Sequence, residues 1–132
     1  MEKKVSLWDN FSYLCIMSEK QKHRTIIFYK DYFEDFFLRQ RSKVQNKIIW
    51  TLDLIEELRR IPETYLKSIE DTDGLYAIRV QVGSDIFRIF CFFDQGQLVV
   101  LANGYQKKSQ KVPKKEIEKA LKIKNQYESE KR

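Results

Sequence analysis

The stretch LVVLANGYQKKSQK, residues 98–111, decides how the rest of this chain is interpreted. It begins with a short apolar run bounded by turn residues, which predicts a central strand with both faces covered. The strand is expected to end at Asn103-Gly104 and to deliver Tyr105 into a basic loop. That loop carries Lys107, Lys108 and Lys111. Cations interleaved with an aromatic and amides suit a nucleic-acid backbone, and a solvated lysine-rich loop is the alternative interpretation.

The excess positive charge lies at one end of the chain. The net charge is +6, and residues 105–132 carry 10 lysines and arginines against 4 acidic residues. Residues 1–104 carry 15 of each sign. Such asymmetry predicts an anionic partner, which means RNA or DNA, a ribosome surface or an acidic protein segment. An anionic membrane fits less well, because the terminal helix lacks the large aromatic face of an interfacial anchor.

Length and composition restrict the class of protein. A chain of 132 residues suits one domain with its own core. It contains no apolar run of about 18 residues that would span a bilayer, and Cys15 and Cys91 lack the spacing of metal ligands. We therefore expect free thiols in the cytoplasm and neither a metal nor a cofactor. The single histidine, His23, precedes the first strand and is assigned no role.

Both ends of the chain are expected to lie outside the globular part. Residues 1–22 do not join the later pattern and are interpreted as a poorly ordered extension, with Met17 as an alternative translation start. Residues 23–127 are predicted to form a single domain. The polar tail, residues 128–132, is predicted to fray.

The domain begins with a predicted strand and a predicted aromatic helix. Thr25–Tyr29 is a compact β-branched and aromatic strand. Asp31 is expected to cap the helix that follows. This helix should bury Phe33, Phe36 and Phe37, because these residues recur at helical spacing.

A second, longer helix is predicted from Ser42 to about Arg60, before Pro62. Its apolar residues recur at helical spacing and include Val44, Ile48, Leu52 and Ile55. The two helices, joined by a tight break, predict a helical hairpin that lies on a sheet. Residues 62–74 are interpreted as a connector.

Three strands and a final helix complete the predicted fold. Residues 75–82 alternate, with Arg79 and its neighbours at i ± 2 on the face opposite the apolar set. Residues 86–93 and 98–102 follow as a hairpin, and Pro113 opens the last helix. The order β-α-α-β-β-β-α predicts an α+β fold. We expect a mainly antiparallel four-stranded sheet with the helical hairpin on one face, and a C-terminal helix.

Arg88 is the most informative single residue of the chain. It interrupts the strand at residues 86–93, which is otherwise apolar on both faces. A buried arginine is costly unless it is paired or faces a cleft. Pairing with Asp85 or Glu70 is therefore the structural alternative to a functional role.

Two segments carry a resemblance to a known family. Residues 72–93, TDGLYAIRVQVGSDIFRIFCFF, and residues 98–120, LVVLANGYQKKSQKVPKKEIEKA, resemble the RelE/ParE toxin superfamily and most of all its phage-derived, HigB-like branch. The resemblance covers residues 24–127. It implies a toxin of a type II toxin–antitoxin pair that cuts mRNA in the ribosomal A site without a metal. It also implies a protein partner, a helix-turn-helix antitoxin that is encoded by the adjacent gene.

The resemblance also implies where the chemistry lies. Metal-independent RNA cleavage needs alignment, stabilisation of charge on the phosphate and proton transfer. Arg79 and Arg88 match basic positions of the family, and both suit charge stabilisation because arginine rarely deprotonates. Lys107 and Lys108 join them as catalytic candidates, since crowded cations lower one another's pKa.

The remaining candidates are assigned to RNA binding. Tyr105 suits stacking on a base, and closing the core at the end of the strand is its equal alternative. Gln110 and Lys111 suit contacts with the RNA strand. Two rival functions stay open: a non-enzymatic, ParE-like gyrase inhibitor, and an inactive toxin-derived module that binds an antitoxin.

Overall fold

A computed structural model of the protein describes residues 22–131. The expectations for the extension, for Met17 and for Arg132 lie outside these residues. The elements, in chain order, are β1 (Thr25–Phe28), α1 (Tyr32–Leu38), α2 (Ser42–Glu57), β2 (Leu66–Ser68), β3 (Leu75–Val82), β4 (Asp85–Asp94), β5 (Leu98–Lys107) and α3 (Lys114–Glu130). None of the three helices is long and apolar enough to cross a bilayer.

The strands form one five-stranded sheet in the order β1-β5-β4-β3-β2. The pair of β1 with β5 is parallel, and the other pairs are antiparallel. The prediction of four strands is therefore wrong. The additional strand, β2, lies in the predicted connector and pairs with Tyr76–Ile78 of β3. Three residues are too few to show a period of two, so this strand depends on the edge that β3 offers.

The helical hairpin covers one face of the sheet, as predicted. Phe33, Phe36 and Phe37 of α1 are buried in a single core with the apolar stripe of α2. The same core takes Ile78 and Val80 from β3, which confirms the predicted alternation. Helix α2 ends at Glu57, three residues before the predicted end, and the chain is extended at Leu58.

Helix α3 packs on the opposite face, where Ala120 and Ile123 join a second, smaller core. The predicted fraying of residues 128–132 differs from the structure, because α3 continues to Glu130. The Tyr29 hydroxyl donates to Glu130 Oε1 at 2.6 Å. The Tyr127 hydroxyl donates to Asp94 Oδ2 at 2.7 Å, so the end of the helix is fixed to the sheet.

Strand β5 is longer than the sequence predicts. The predicted end of the strand at Asn103-Gly104 is wrong, because the strand runs through this dipeptide to Lys107. A Cβ built on Gly104 would lie 2.6 Å from Cδ2 of Phe36, well inside van der Waals contact. Glycine is needed here because α1 approaches the strand closely.

Candidate functional site

A β-bulge in β5 decides which side chains share a face beyond residue 101. Ile89 of β4 pairs with Gly104, whereas Cys91 pairs with Leu101. Two residues of β5 therefore stand opposite one residue of β4, which is the definition of a bulge. In a regular strand Leu101 and Tyr105 would point the same way. In this structure Leu101 lies in the core under the hairpin, and Tyr105 lies in the core under α3.

The bulge brings Tyr105 and Lys107 beside the two arginines. Tyr105 pairs with Arg88 across the β4–β5 ladder. Arg88 in turn pairs with Arg79 across the β3–β4 ladder. Lys107 follows Tyr105 on the same side of β5, opposite Ile86. A row of cations therefore crosses three strands on the face that carries α3.

Arg79 and Arg88 stand directly opposite each other, and no carboxylate among the described residues neutralises them. Like charges in such a cross-strand position destabilise a sheet. Arg79 Nη1 donates to the carbonyl of Glu63 at 3.1 Å, and Arg88 Nη1 donates to the carbonyl of Phe87 at 3.0 Å. Within residues 22–131 neither arginine forms a salt bridge.

The structural alternative for Arg88, an ion pair with Asp85 or Glu70, is therefore wrong. Asp85 pairs with Arg41 instead, at 3.2 Å. Arg88 is only 9 % exposed, so its charge is poorly hydrated as well as unpaired. Its remaining exposure is to a cleft, which leaves room for an anion from outside the chain.

Burial and mutual repulsion shift the pKa values of this row. Burial, and then the Arg79 charge, lower the pKa of Arg88. Burial, and then Arg88 and Arg79, lower the pKa of Lys107, so its ammonium releases a proton more easily than an ordinary lysine. Burial raises the pKa of Tyr105, and the neighbouring Arg88 opposes that shift. The pKa values of Lys107 and Tyr105, which are neighbours on one side of β5, are therefore shifted in opposite directions.

Two clefts meet at the arginines. The larger, of about 430 Å³, lies between the sheet and the start of α3. Its charged lining is Lys67, Glu70, Arg79, Arg88 and Lys107. We call it the helix-side cleft. The second, of about 380 Å³, is lined by Lys47, Thr64, Tyr65, Arg79, Val80, Gln81 and Arg88. We call it the edge cleft.

Lys67 and Lys47 are site residues that the sequence did not reveal. Lys67 reaches the helix-side cleft because β2 places it opposite Ala77, on the face of Arg79. Lys47 reaches the edge cleft from α2. Each is a lone lysine in its own segment, so only the folding of separate segments makes either of them part of a cluster.

Tyr105 forms part of the wall of the helix-side cleft. It is 8 % exposed, and its ring stacks on Phe90 with centroids 5.6 Å apart. This packing matches the alternative in which Tyr105 closes the core. Its hydroxyl is buried without a hydrogen-bond partner among the described residues. A buried, unpaired hydroxyl is costly, and a ligand in the cleft would relieve that cost.

The structure leaves three of the predicted site residues outside the clefts. Lys108, Gln110 and Lys111 are exposed on the loop between β5 and α3. The Ser109 hydroxyl donates to the carbonyl of Lys111 at 3.1 Å, which shapes this loop. The loop is continuous with Lys107, so its lysines extend the positive surface beyond the cleft without contributing to its lining.

The described residues that line the helix-side cleft offer amines, guanidinium groups, a phenol and the carboxylate of Glu70. No three His, Cys, Asp or Glu side chains in residues 22–131 lie together as a metal-binding group. The Cys91 thiol is fully buried, and burial raises its pKa, so it is not a nucleophile. The arrangement suits binding of a polyanion, with planar arginine forks for phosphate oxygens.

Comparison with known proteins gives one family. The family model described as Phage derived protein Gp49-like (DUF891) matches residues 35–125, more than half of the 132-residue chain. Arg79, Arg88, Tyr105 and Lys107 all lie within the match. A search of the curated proteins gives no match.

Proposed function

The chain belongs to the phage-derived Gp49-like family, a family of the RelE/HigB-like toxin type, and from this premise we propose that it is a ribosome-dependent endoribonuclease that cuts mRNA. In this proposal it is the toxin of a type II toxin–antitoxin pair and belongs to the HigB-like branch. Its substrate is mRNA on the ribosome, so it acts in the cytoplasm and inhibits translation.

The observation that carries the proposal is the unneutralised pair of Arg79 and Arg88. The pair stands across the β3–β4 ladder, with Lys107 on the next strand. A sheet with this pair is less stable than one with an ion pair at the same position. A phosphate between the two guanidinium groups would remove the repulsion and replace it with charge-assisted hydrogen bonds. The pair is therefore best explained as a phosphate site.

The same groups support cleavage of the RNA strand. The ribose 2′-oxygen attacks the adjacent phosphorus while the bond to the 5′-oxygen breaks, which leaves a cyclic 2′,3′-phosphate and a 5′-hydroxyl end. Arg79 and Arg88 stabilise the charge that grows on the non-bridging oxygens. The Lys107 ammonium, with its lowered pKa, donates a proton to the departing 5′-oxygen. The proton of the 2′-hydroxyl passes to water.

The lining of the helix-side cleft supports the proposed dependence on the ribosome. Among the described residues that line the cleft, Glu70 is the one carboxylate, and the one described histidine, His23, lies outside it. The described lining therefore offers no strong general base for the 2′-hydroxyl. Stabilised charge without a base gives slow cleavage of free RNA. The decoding site of the ribosome would align the 2′-oxygen with the phosphorus. Such alignment raises the rate of a reaction by several orders of magnitude.

A helix-turn-helix antitoxin is the proposed protein partner. Its neutralising surface should cover the cationic row, because an acidic segment there would both bind and inhibit. The rival function, gyrase inhibition, does not call for phosphate-binding arginines that converge on one cleft. The second rival, an inactive module that binds an antitoxin, differs from the proposal only in lacking cleavage.

The test is 5′-end mapping of an mRNA translated by purified ribosomes with and without the protein. We expect new ends inside the coding region only when ribosomes occupy the message. Arg88→Ala is the inactive comparison, and Arg39→Ala, at an exposed position of the opposite face, is the matched control. The proposal fails if the folded wild-type protein gives no new ends, and a supercoiling assay with gyrase then decides between the two rivals.

A further inference from the structure

The side chain of Trp50 is more exposed than a purely structural role would require. It lies on α2, whose other side forms the core under the hairpin. With 44 % of its surface exposed, it is the one large hydrophobic side chain among residues 22–131 that is exposed to this degree. An exposed tryptophan on a helix that already has a complete apolar stripe adds nothing to the core. An exposed aromatic ring is the usual platform for a nucleobase.

The neighbours of Trp50 carry the chemistry that a nucleotide needs. Lys47 Nζ lies over the indole ring, 4.2 Å from its centroid, in a cation–π contact that a stacking base would replace when the lysine turns to a phosphate. The Tyr65 ring packs edge-on against Trp50, with centroids 5.8 Å apart and planes at 73°. The lysine offers a charge for a phosphate, and Tyr65 holds the indole in place.

Trp50 is connected to the proposed phosphate site through the edge cleft. Lys47 and Tyr65 line this cleft together with Arg79 and Arg88. Of the described residues, three cations and no carboxylate line it. The cleft opens where β2 stops, because β2 pairs only with Tyr76–Ile78 and leaves the end of β3 as an edge. A positive path therefore runs from the arginines around the sheet edge to α2.

We propose that the RNA strand leaves the helix-side cleft along this path and that a base outside the dinucleotide that is cleaved stacks on Trp50. Lys47 binds the phosphate that precedes or follows that base. This inference rests on the proposed function, since it concerns the same RNA strand. It adds a second contact region, on the helical hairpin, which sets how many nucleotides the protein holds.

The experiment measures RNA binding by the full chain with Trp50 as its only tryptophan. Trp8→Phe removes the other tryptophan of the sequence. The probe is a single-stranded oligoribonucleotide of about eight nucleotides, methylated at each 2′-oxygen so that attack on the phosphate is blocked. Titration at about 50 mM salt preserves the phosphate contacts. Circular dichroism establishes that each variant is folded.

We expect the RNA to quench the fluorescence of Trp50. Trp50→Ala should raise the Kd about tenfold, and Trp50→Phe should raise it less, because phenylalanine keeps part of the stacking surface. A dinucleotide of the same chemistry occupies only the arginine site, so its Kd should be the same with Trp50→Ala as with the parent. Lys47→Ala should reduce the salt dependence by about one phosphate contact, and Lys119→Ala, exposed on α3, should not.

Three results would overturn the inference, and they are distinguishable. Unchanged affinity with Trp50→Ala and no quenching, together with lost affinity in Arg88→Ala, removes the platform and leaves the proposed function standing. No binding of RNA by the folded parent at low salt removes both. A loss with Trp50→Ala that is equal for the dinucleotide and the longer RNA also overturns the inference, because it places the effect in the arginine site.

Discussion

The two faces of the sheet are formed by the same strands, but one face is a closed apolar core and the other carries open clefts. Under the hairpin, Ile78 and Phe87 are almost completely buried in a continuous apolar core. On the other face, Ala77 and Phe90 lie under α3, but Arg79 and Arg88 lie in open clefts. The hairpin face carries one continuous apolar core, whereas the other face is covered only in part.

This difference has two causes: side chains alternate along a strand, and the helices cover different lengths of the two faces. Alternate residues of one strand face opposite sides, so a strand carries a core set and a functional set without conflict. The loop after β5 delays the start of α3 to Lys114, so the helix leaves the arginine end of the sheet open. Stability is therefore concentrated on the hairpin face and ligand binding on the α3 face.

The largest effect on stability should come from the hairpin face. Leu52 of α2 is fully buried, so Leu52→Ala leaves a cavity and should lower the free energy of unfolding by about 2–5 kcal/mol. Lys43→Ala, exposed on the same helix, should change it by no more than about 0.5 kcal/mol. Urea denaturation measures both. A similar small change in the two variants would show that the hairpin face is not the main core.

The converse is expected on the α3 face, where activity should fall without loss of stability. Arg88→Met removes a charge that stabilises the reacting phosphate, so the rate of mRNA cleavage should fall about 100-fold or more. It also removes the repulsion with Arg79, so the free energy of unfolding should stay the same or rise by up to about 1 kcal/mol. Cleavage assays and urea denaturation measure the two effects. A strong loss of stability would indicate a structural role for Arg88.

Two neighbouring lysines, one in the cleft and one on the loop, should differ in their contribution to cleavage. Lys107 lines the cleft and has a lowered pKa, whereas Lys108 is exposed on the loop. Lys107→Met should reduce cleavage roughly 100-fold, the scale of a lost general acid, and Lys108→Met should reduce it less. As the pH rises, cleavage by the wild type should decline at a lower pH than it would if the proton donor were an ordinary lysine. The reason is that Lys107, with its lowered pKa, loses its proton at a lower pH. Equal losses would place the proton donor on the loop.

Gly104 connects the two faces, because it lies between the hairpin and the cationic row. Gly104→Ala forces a methyl group against the Phe36 ring and should lower the free energy of unfolding by about 1–3 kcal/mol. Combination with Phe36→Leu, which makes room, should recover part of the loss. Thermal unfolding of the single and double variants measures the coupling. Additive effects would contradict the close contact.

The smallest effect concerns a carboxyl group on the outer side of the hairpin. Burial, a hydrogen bond with Glu57 and the Glu57 and Glu56 charges raise the pKa of Asp53 to about 7, against a lowering by Lys22. The folded protein therefore binds this proton more tightly than the unfolded chain does. The resulting stability is complete below a pH of about 4 and is lost as the pH rises through about 7.

Asp53→Asn tests this dependence. The variant should be more stable than wild type above pH 7, by less than about 1 kcal/mol because solvent screens a partly exposed group. The advantage should shrink towards pH 5. Thermal unfolding across this pH range measures it. A difference that does not change with pH would show that Asp53 keeps its ordinary titration in the folded protein.

Local patterns predicted most of the fold because each element carries its own signal. The phenylalanine spacing of α1, the apolar stripe of α2 and the alternation of β3 needed only neighbouring residues. The strand β2 was missed because three residues show no period. The bulge in β5 was missed because Asn103-Gly104 is a common turn signal, and only the ladder with β4 shows that the strand continues.

Part of the site was predicted for the same reason. Arg88 was identified because a charge inside an apolar strand is informative wherever the strand lies. Tyr105 and Lys107 were identified as candidates, but the bulge that turns them towards Arg88 was not. Lys67 and Trp50 gave no local signal, since a lysine in a short edge strand and a tryptophan on a helix are both ordinary.

The sequence by itself determined the helices, four of the five strands, the placement of positive charge and the arginine that interrupts β4. These depend on periodicity and composition, which are properties of neighbouring residues. Only the tertiary structure decided that Arg79 and Arg88 stand opposite each other and that the bulge adds Lys107 to their row. It also decided that β2 and α2 bring Lys67 and Lys47 into the clefts beside that row. Register and packing join residues that are far apart in the chain, and the free energies that select them belong to the assembled sheet rather than to any one segment.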